Sequence, residues 1–225
     1  MHPSASTLAS PLVADLLTRL FADAHATSAE MRQMLGAIPS EERTRRMGDP
    51  NADYLEFYHR VKDVHMAVAP ATGRLLYMLA RSAGARAIVE FGTSFGLSTI
   101  HLAAALRDNG GGRLIGTDLE PGKIAFARTN LEAAGLADLV EIREGDALET
   151  LAGNLPDSID LVLLDGHKPL YSRILDLLEP RLRTGAWLIA DNADASPGYV
   201  ARVRSAGGGY LSVPFGDEVE VSMRT

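Results

Sequence analysis

From residue 87 to residue 190 the chain alternates short apolar runs with helical patterns, and this alternation leaves few folds open. The runs Ala87–Phe91, Arg113–Thr117, Leu139–Ile142, Ile159–Leu164 and Trp187–Ala190 suit strands buried on both faces of a parallel sheet. Between them lie helical stretches over Ser98–Leu106, from Pro121 to Ala134, and over Leu170–Leu178, with turns at Asn109–Gly112 and Gly135. Strands and helices in this order predict an α/β chain with a doubly wound, mostly parallel sheet. After Ser196 a short helix from about Tyr199 leads to Gly207-Gly208-Gly209 and two further strands, Tyr210–Val213 and Val219–Met223. So short a link favours an antiparallel pair closing the sheet edge, which makes seven strands.

The first quarter reads as helical. Leu12, Val13, Leu16, Leu17, Leu20 and Phe21 follow helical spacing, and residues up to about Ser10 are expected to fray. A second helical piece holds Met31, Met34 and Leu35 and stops near Pro39. The charged stretch Glu41–Arg46 and the turn signal Gly48-Asp49-Pro50 follow, and Tyr54, Phe57, Tyr58 and Val61 suggest another amphipathic helix. Ala71–Ala83 leads into the first strand and ends at Gly84. The division expected is a helical region over 1–62, serving as a packing layer, an active-site cover or a dimer surface, and a sheet domain over 63–225.

With 225 residues and 46% hydrophobic composition the chain can bury one sizeable core. Its net charge of −7 is scattered, which argues against a nucleic-acid partner. Without cysteine, disulfides and thiolate metal sites are excluded, and a metal would need oxygen or imidazole ligands. No basic region precedes the first apolar stretch and no 18-residue apolar span occurs, so a soluble cytoplasmic protein without a membrane partner is expected.

Chemistry concentrates where the strands end. In open α/β sheets ligands bind outside the carboxyl ends of the strands, and Glu90, Asp118, Asp146, Asp165 and Asp191-Asn192 fall there. A single such acid is ordinarily a helix cap, but five on one edge make independent capping a weaker account. Strand, turn and helix start at Ala87–Ser98 form a place where backbone can approach a nucleoside-bearing cofactor. Gly92 and Gly96, with Thr93 and Ser94 between them, give G-x-x-x-G rather than the dinucleotide fingerprint G-x-G-x-x-G, which disfavours a nicotinamide enzyme. Asp118 is placed to accept two ribose hydroxyls and Asp146 lies near a base edge. Among the histidines, His101 is expected to be packed, and His167 is the candidate for a substrate site.

The residues Glu90–Ser98, Asp118, Gly145-Asp146-Ala147, Asp165-Gly166-His167-Lys168 and Asp191-Asn192 resemble class I S-adenosylmethionine-dependent methyltransferases. More narrowly they are similar to the cation-dependent catechol and caffeoyl-CoA O-methyltransferases, over about Val64 to Asn192. The resemblance implies a Rossmann-like methyltransferase fold. It implies that Glu90, Gly92, Ser94 and Ser98 line the methionine and ribose end of the cofactor, that Asp118 takes the ribose hydroxyls, and that Asp146 and Ala147 face the adenine. Met66, Val68, Thr93, Gly96, Leu119 and Asp165 belong to the same cofactor-binding set. Asp165, Asp191 and Asn192 would hold a divalent cation, Mg²⁺ above all, with Lys168 as the base and Tyr171 at a position where the family often has tyrosine. Pro169 and Gly166 depart from the family pattern, and Asp217 or Glu218 is a guess for a substrate-gripping group. The implied reaction is methyl transfer from S-adenosylmethionine to a hydroxyl of a small aromatic, catechol-like acceptor, in a homodimer. A metal-independent methyltransferase using Lys168 or His167, and a non-catalytic nucleoside-binding module, are the alternatives.

Overall fold

The protein is described here by a computed structural model covering residues 6–36, 59, 64 and 66–225, with the side chains of 28–36 outside the description. Tyr54, Phe57, Tyr58 and Val61 of the expected helix, the stretch Glu41–Arg46, the turn at Gly48-Asp49-Pro50 and the stop at Pro39 lie outside the described residues. Helix α1 spans Pro11–Gly36 as one element rather than two pieces. The large apolar residues pause after Phe21, but alanines fill the interval at Ala22, Ala24, Ala26 and Ala29, and alanine is the strongest helix former. Of the segment up to Ser10, expected to fray, the described residues from Ser6 onward are fastened to the body. Residues Thr7–Ala9 form a 3-10 turn, and the Thr7 backbone N–H donates to both oxygens of Asp108 at 3.1 and 3.0 Å. Tyr77 donates its hydroxyl to the same carboxylate at 2.6 Å.

The remaining elements are α2 (Pro70–Ser82), β1 (Ala87–Phe91), α3 (Leu97–Asp108), β2 (Arg113–Asp118), α4 (Pro121–Ala133), β3 (Val140–Glu144), α5 (Ala147–Thr150), β4 (Ile159–Leu164), α6 (Tyr171–Leu178), β5 (Leu182–Ala190), α7 (Pro197–Arg204), β6 (Tyr210–Phe215) and β7 (Val219–Arg224). Two boundaries differ from expectation for local reasons. Leu139 closes a 3-10 turn, so β3 starts at Val140. Strand β5 begins at Leu182, because Arg183, Thr184 and Gly185 interrupt the apolar run without ending the ladder, which shifts register between Ile159 and Leu161.

The sheet order is β3-β2-β1-β4-β5-β7-β6. Pairings are parallel from β3 through β5, while β7 runs antiparallel to both β5 and β6. Side chains alternate across this sheet, so each face feeds its own core. On one face Ile88, Leu114, Leu161, Leu163 and Ile189 pack with Val13, Leu16, Leu17 and Leu20 of α1, Leu76 of α2 and Ile124 of α4. The described part of the N-terminal region is thus built into the main core. On the other face Val89, Ile115, Val162, Leu164 and Leu188 meet Ile174, Leu175 and Leu178 of α6 and Tyr199 and Val203 of α7. Among the described residues no helix is long and apolar enough to cross a membrane.

Candidate active site

The order of strands reverses between β1 and β4, and the turn after β1 stands at this switch point. Two backbone straps hold it. Asp165 N–H donates to Phe91 O at 2.8 Å, and Gly92 N–H and Thr93 N–H both donate to Thr117 O at 3.1 Å. Gly92 has φ +100°, and a Cβ there would lie 2.7 Å from the Asp165 carbonyl, so only glycine lets the turn approach the end of β4 this closely. Ser94 is held at φ 48° by an N–H bond to Asp118 Oδ2 at 2.7 Å, while Glu120 N–H donates to Asp118 Oδ1 at 3.0 Å. The Asp118 carboxylate therefore stabilises the turn before any ligand arrives. The Ser94 hydroxyl is buried with no hydrogen-bond partner among the described residues.

Glu90 lies behind this turn and is fully buried. Ser98 and Thr99 donate hydroxyls to it at 2.6 Å each, and Thr93 donates at 3.4 Å. Burial pushes its carboxyl up to about 7; the Ser98 and Thr99 bonds oppose the rise, and the Asp165 charge adds to it.

A cavity of about 640 Å³ opens at the carboxyl edge of the sheet. Of the sequence-predicted residues, Met66, Gly92, Ser94, Asp118, Leu119, Asp146, Ala147, Asp165, Lys168, Asp191 and Asn192 line it, as does His167. Val68, Glu90, Thr93, Gly96 and Ser98 are buried and are not among the residues of its wall. Asp146 also caps α5, accepting the Leu148 N–H at 2.8 Å, so the capping account holds for this acid.

Opposite the glycine turn, Asp165 follows β4 and Asp191 follows β5. Lys168 donates to Asp165 Oδ1 at 2.9 Å and stands 5.6 Å above the Tyr171 ring. Pro169 sits in the 3-10 turn Lys168–Leu170 that brings this lysine back over Asp165. Gly166 lies against the Phe91 ring, where a Cβ would overlap it, so both departures from the family pattern have local structural reasons. Asp191 is buried, and its carboxyl is pushed up first by that burial and next by the charge of Asp165, against the pull of Lys168. Tyr171, buried and edge-on to Phe91, donates its hydroxyl to the Asp191 carbonyl at 2.8 Å and fixes the strand end.

Asn192 takes the left-handed conformation and donates Nδ2 to Glu218 Oε2 at 3.3 Å, while Ala193 N–H donates to Glu218 O at 2.9 Å. These bonds fasten the β6–β7 hairpin to the acid end, and Phe215, Gly216, Asp217, Glu218 and Val219 line the cavity. Sequence reasoning reached Glu218 only as a guess and missed Phe215, Val219 and Thr99. No local spacing marks Phe215 and Val219, since strand pairing alone carries the hairpin there, while Thr99 lies on α3 beside Ser98 and reaches Glu90 by the turn of that helix. Among the described residues no group of three or more His, Asp or Glu is arranged to hold a metal. The strand ends instead present two carboxylates and an amide, a hard-oxygen set that fits an oxygen-preferring divalent cation. His101 is packed, its Nδ1 2.8 Å from Leu97 O and its ring beside Phe21.

A seven-stranded, mostly parallel sheet with a lone antiparallel β7 inserted before β6, a glycine turn after β1 and an acid ending β2 is the Rossmann-like methyltransferase fold. A family described as a methyltransferase domain matches residues 89–193. The catechol O-methyltransferase of Niastella koreensis is 35% identical over 130 residues, which are 56% of this chain and 58% of that protein. A putative O-methyltransferase of Mycolicibacterium smegmatis is 33% identical over 150 residues, covering 62% of this chain and 70% of that one. The structure of the O-methyltransferase TomG from Streptomyces achromogenes, in complex with SAM, superposes with a TM-score of 0.64 at 28% identity, over 74% of this chain and 86% of that one. The chain belongs to the S-adenosylmethionine-dependent O-methyltransferase family.

Proposed function

We propose that the chain transfers a methyl group from S-adenosylmethionine to a hydroxyl of a small aromatic, catechol-like acceptor, with a divalent cation, Mg²⁺ by preference, held by Asp165, Asp191 and Asn192. The observation that carries this reading is the convergence of Asp165, Lys168, Asp191 and Asn192 on the cavity that the Gly92–Ser94 turn and Asp118 also line. The identity to a catechol O-methyltransferase supports the same acceptor class.

When bound, S-adenosylmethionine would supply an electrophilic methyl carbon, its bond to the sulfonium sulfur being exchanged for one to the acceptor oxygen. A cation held by Asp165, Asp191 and Asn192 would lower the pKa of the acceptor hydroxyl, near 10 for a free phenol, and fix its position. The chain does the rest. Asp118 accepts from the ribose hydroxyls while keeping Ser94 in place, and Asp146 and Ala147 bound the adenine. Asp165 and Asp191 gather negative charge at the acceptor end, and Lys168, returned to Asp165 by the Pro169 turn, would take the acceptor proton as the neutral amine, a form that a cation held beside it would favour by driving the ammonium proton to solvent. Tyr171 and Glu218 hold Asp191 and Asn192 at the orientation this requires. The same proposal makes the working form a cytoplasmic homodimer.

Calorimetry with S-adenosylmethionine, followed by catechol turnover before and after chelation, tests the reading. Chelation is expected to lower turnover by ~100-fold or more, to leave cofactor affinity unchanged, and to be reversed by Mg²⁺. Full activity after thorough metal removal would leave Lys168 or His167 as the sole activating group. Cofactor binding without turnover of any phenolic acceptor would leave only a nucleoside-binding module.

A further inference from the structure

Strand β6 is an edge strand whose two faces differ. On one face Tyr210 donates its hydroxyl to Glu179 at 2.6 Å and Ser212 bonds Ser222 at 2.8 Å, which anchors the strand to the body. On the other face Leu211 is 65% exposed, Val213 61% and Phe215 39%. Exposed edges ordinarily carry charge, because an apolar edge invites unwanted pairing. From Tyr210 to Phe215 there is no charged residue, and Pro214 alone interrupts the donors of the free edge. The outward row is therefore a retained liability that the anchoring of the strand does not need.

The row is continuous with the cavity. Phe215 pairs with Val219, and both line it. Val213 and Leu211 follow at alternate positions, so the row runs ~13 Å outward along the strand. Its inner end is fixed to the acid cluster through the Glu218 bonds to Asn192 and Ala193. A molecule with its reacting oxygen near Asp165 and Asp191 thus meets, among the described residues, an apolar row that leads outward past Phe215.

We propose that the methyl acceptor carries an apolar tail that leaves the cavity past Phe215 and lies along Val213 and Leu211. The substrate class is an amphipathic catechol, with an alkyl chain on the ring, rather than a compact one. The inference rests on the function proposed above and names the acceptor more narrowly. Each methylene shielded from water on the row raises kcat/KM by up to about fourfold, levelling off when the tail outruns Leu211.

The test measures kcat/KM of the Mg²⁺-loaded protein for 4-methyl-, 4-butyl- and 4-octylcatechol, with calorimetric affinities for the same compounds, in the wild type and in the double variant Leu211→Ser, Val213→Ser. A rise with chain length in the wild type, flattened in the variant while 4-methylcatechol is handled equally by both, supports the tail site. A flat series in the wild type overturns it, as do equal slopes in the two proteins. Sedimentation completes the set: a variant that drops from dimer to monomer with its slope intact shows that a second copy, and not a substrate, covers the row. If no catechol is methylated, the proposed function fails, and the affinity series alone decides whether the row binds tails. Val213→Thr by itself serves if the double variant melts early.

Discussion

The two halves of the cavity wall are built on opposite principles. Around the β1 turn the polar groups are satisfied by neighbours: Asp118 by two backbone N–H groups, Asp146 by its helix, Glu90 by three hydroxyls. At the ends of β4 and β5, burial and the neighbouring Asp165 charge push the Asp191 carboxyl up, against the pull of Lys168. In the first half the carboxylates are satisfied without a ligand, and among the described residues the Ser94 hydroxyl is left without a partner. The second concentrates negative charge that calls for a further positive partner. In the proposed function the first half holds the cofactor and the second the acceptor and its cation.

The largest effect should come from the acceptor half. Lys168→Met is expected to lower kcat by ~10²–10⁴-fold, the contribution of a positioned proton acceptor, with cofactor affinity unchanged by calorimetry. An equal loss of cofactor affinity would break the division between the halves. Next is Glu90→Gln, read by chemical denaturation across pH. Glu90 keeps its proton in the folded chain up to about 7, whereas its ordinary value is 4.5. Between these values the folded state holds a proton the unfolded chain has released, so this group's contribution is fully present below 4.5 and declines as pH rises through about 7. The variant lacks that decline, and its stability relative to wild type should improve by ~3 kcal/mol from pH 4.5 to pH 8. A gap independent of pH would mean that Glu90 is satisfied as a charge. Smallest is Asp118→Ala, expected to weaken S-adenosylmethionine binding by ~10–100-fold through lost charged hydrogen bonds while kcat at saturation stays the same. A fall in kcat instead would mean that the Ser94 turn also orients the reacting groups.

Much of the fold was legible because strand and helix periodicities are local. The exceptions are instructive. The alanines between Phe21 and Met31 carry no amphipathic signal yet continue α1, and Arg183-Thr184-Gly185 hide the first half of β5. In the site, Gly92, Asp118 and Asp165 were readable from turn chemistry and strand ends. The burial of Glu90 was not: the same strand-end position is compatible with facing a ligand or facing a helix, and the hydroxyls of Ser98 and Thr99 settle it inward. Phe215 and Glu218 were illegible as a wall of the cavity, because they arrive by antiparallel pairing of β7 with β5.

By itself the sequence determined the alternation of strands and helices, the glycine turn after β1 and the set of acids available on one edge, since periodicity and turn preference act over a few residues. Only the tertiary structure decided which of those acids meet. Parallel pairing of Leu164 with Ala190 brings Asp165 and Asp191 to adjacent strand ends, spaced by the ladder and not by the chain. The same sheet turns Glu90 into the interior and carries the hairpin of β6 and β7 to Asn192. Proximity between distant segments is a property of strand order and register, and the electrostatics of this site follow from it.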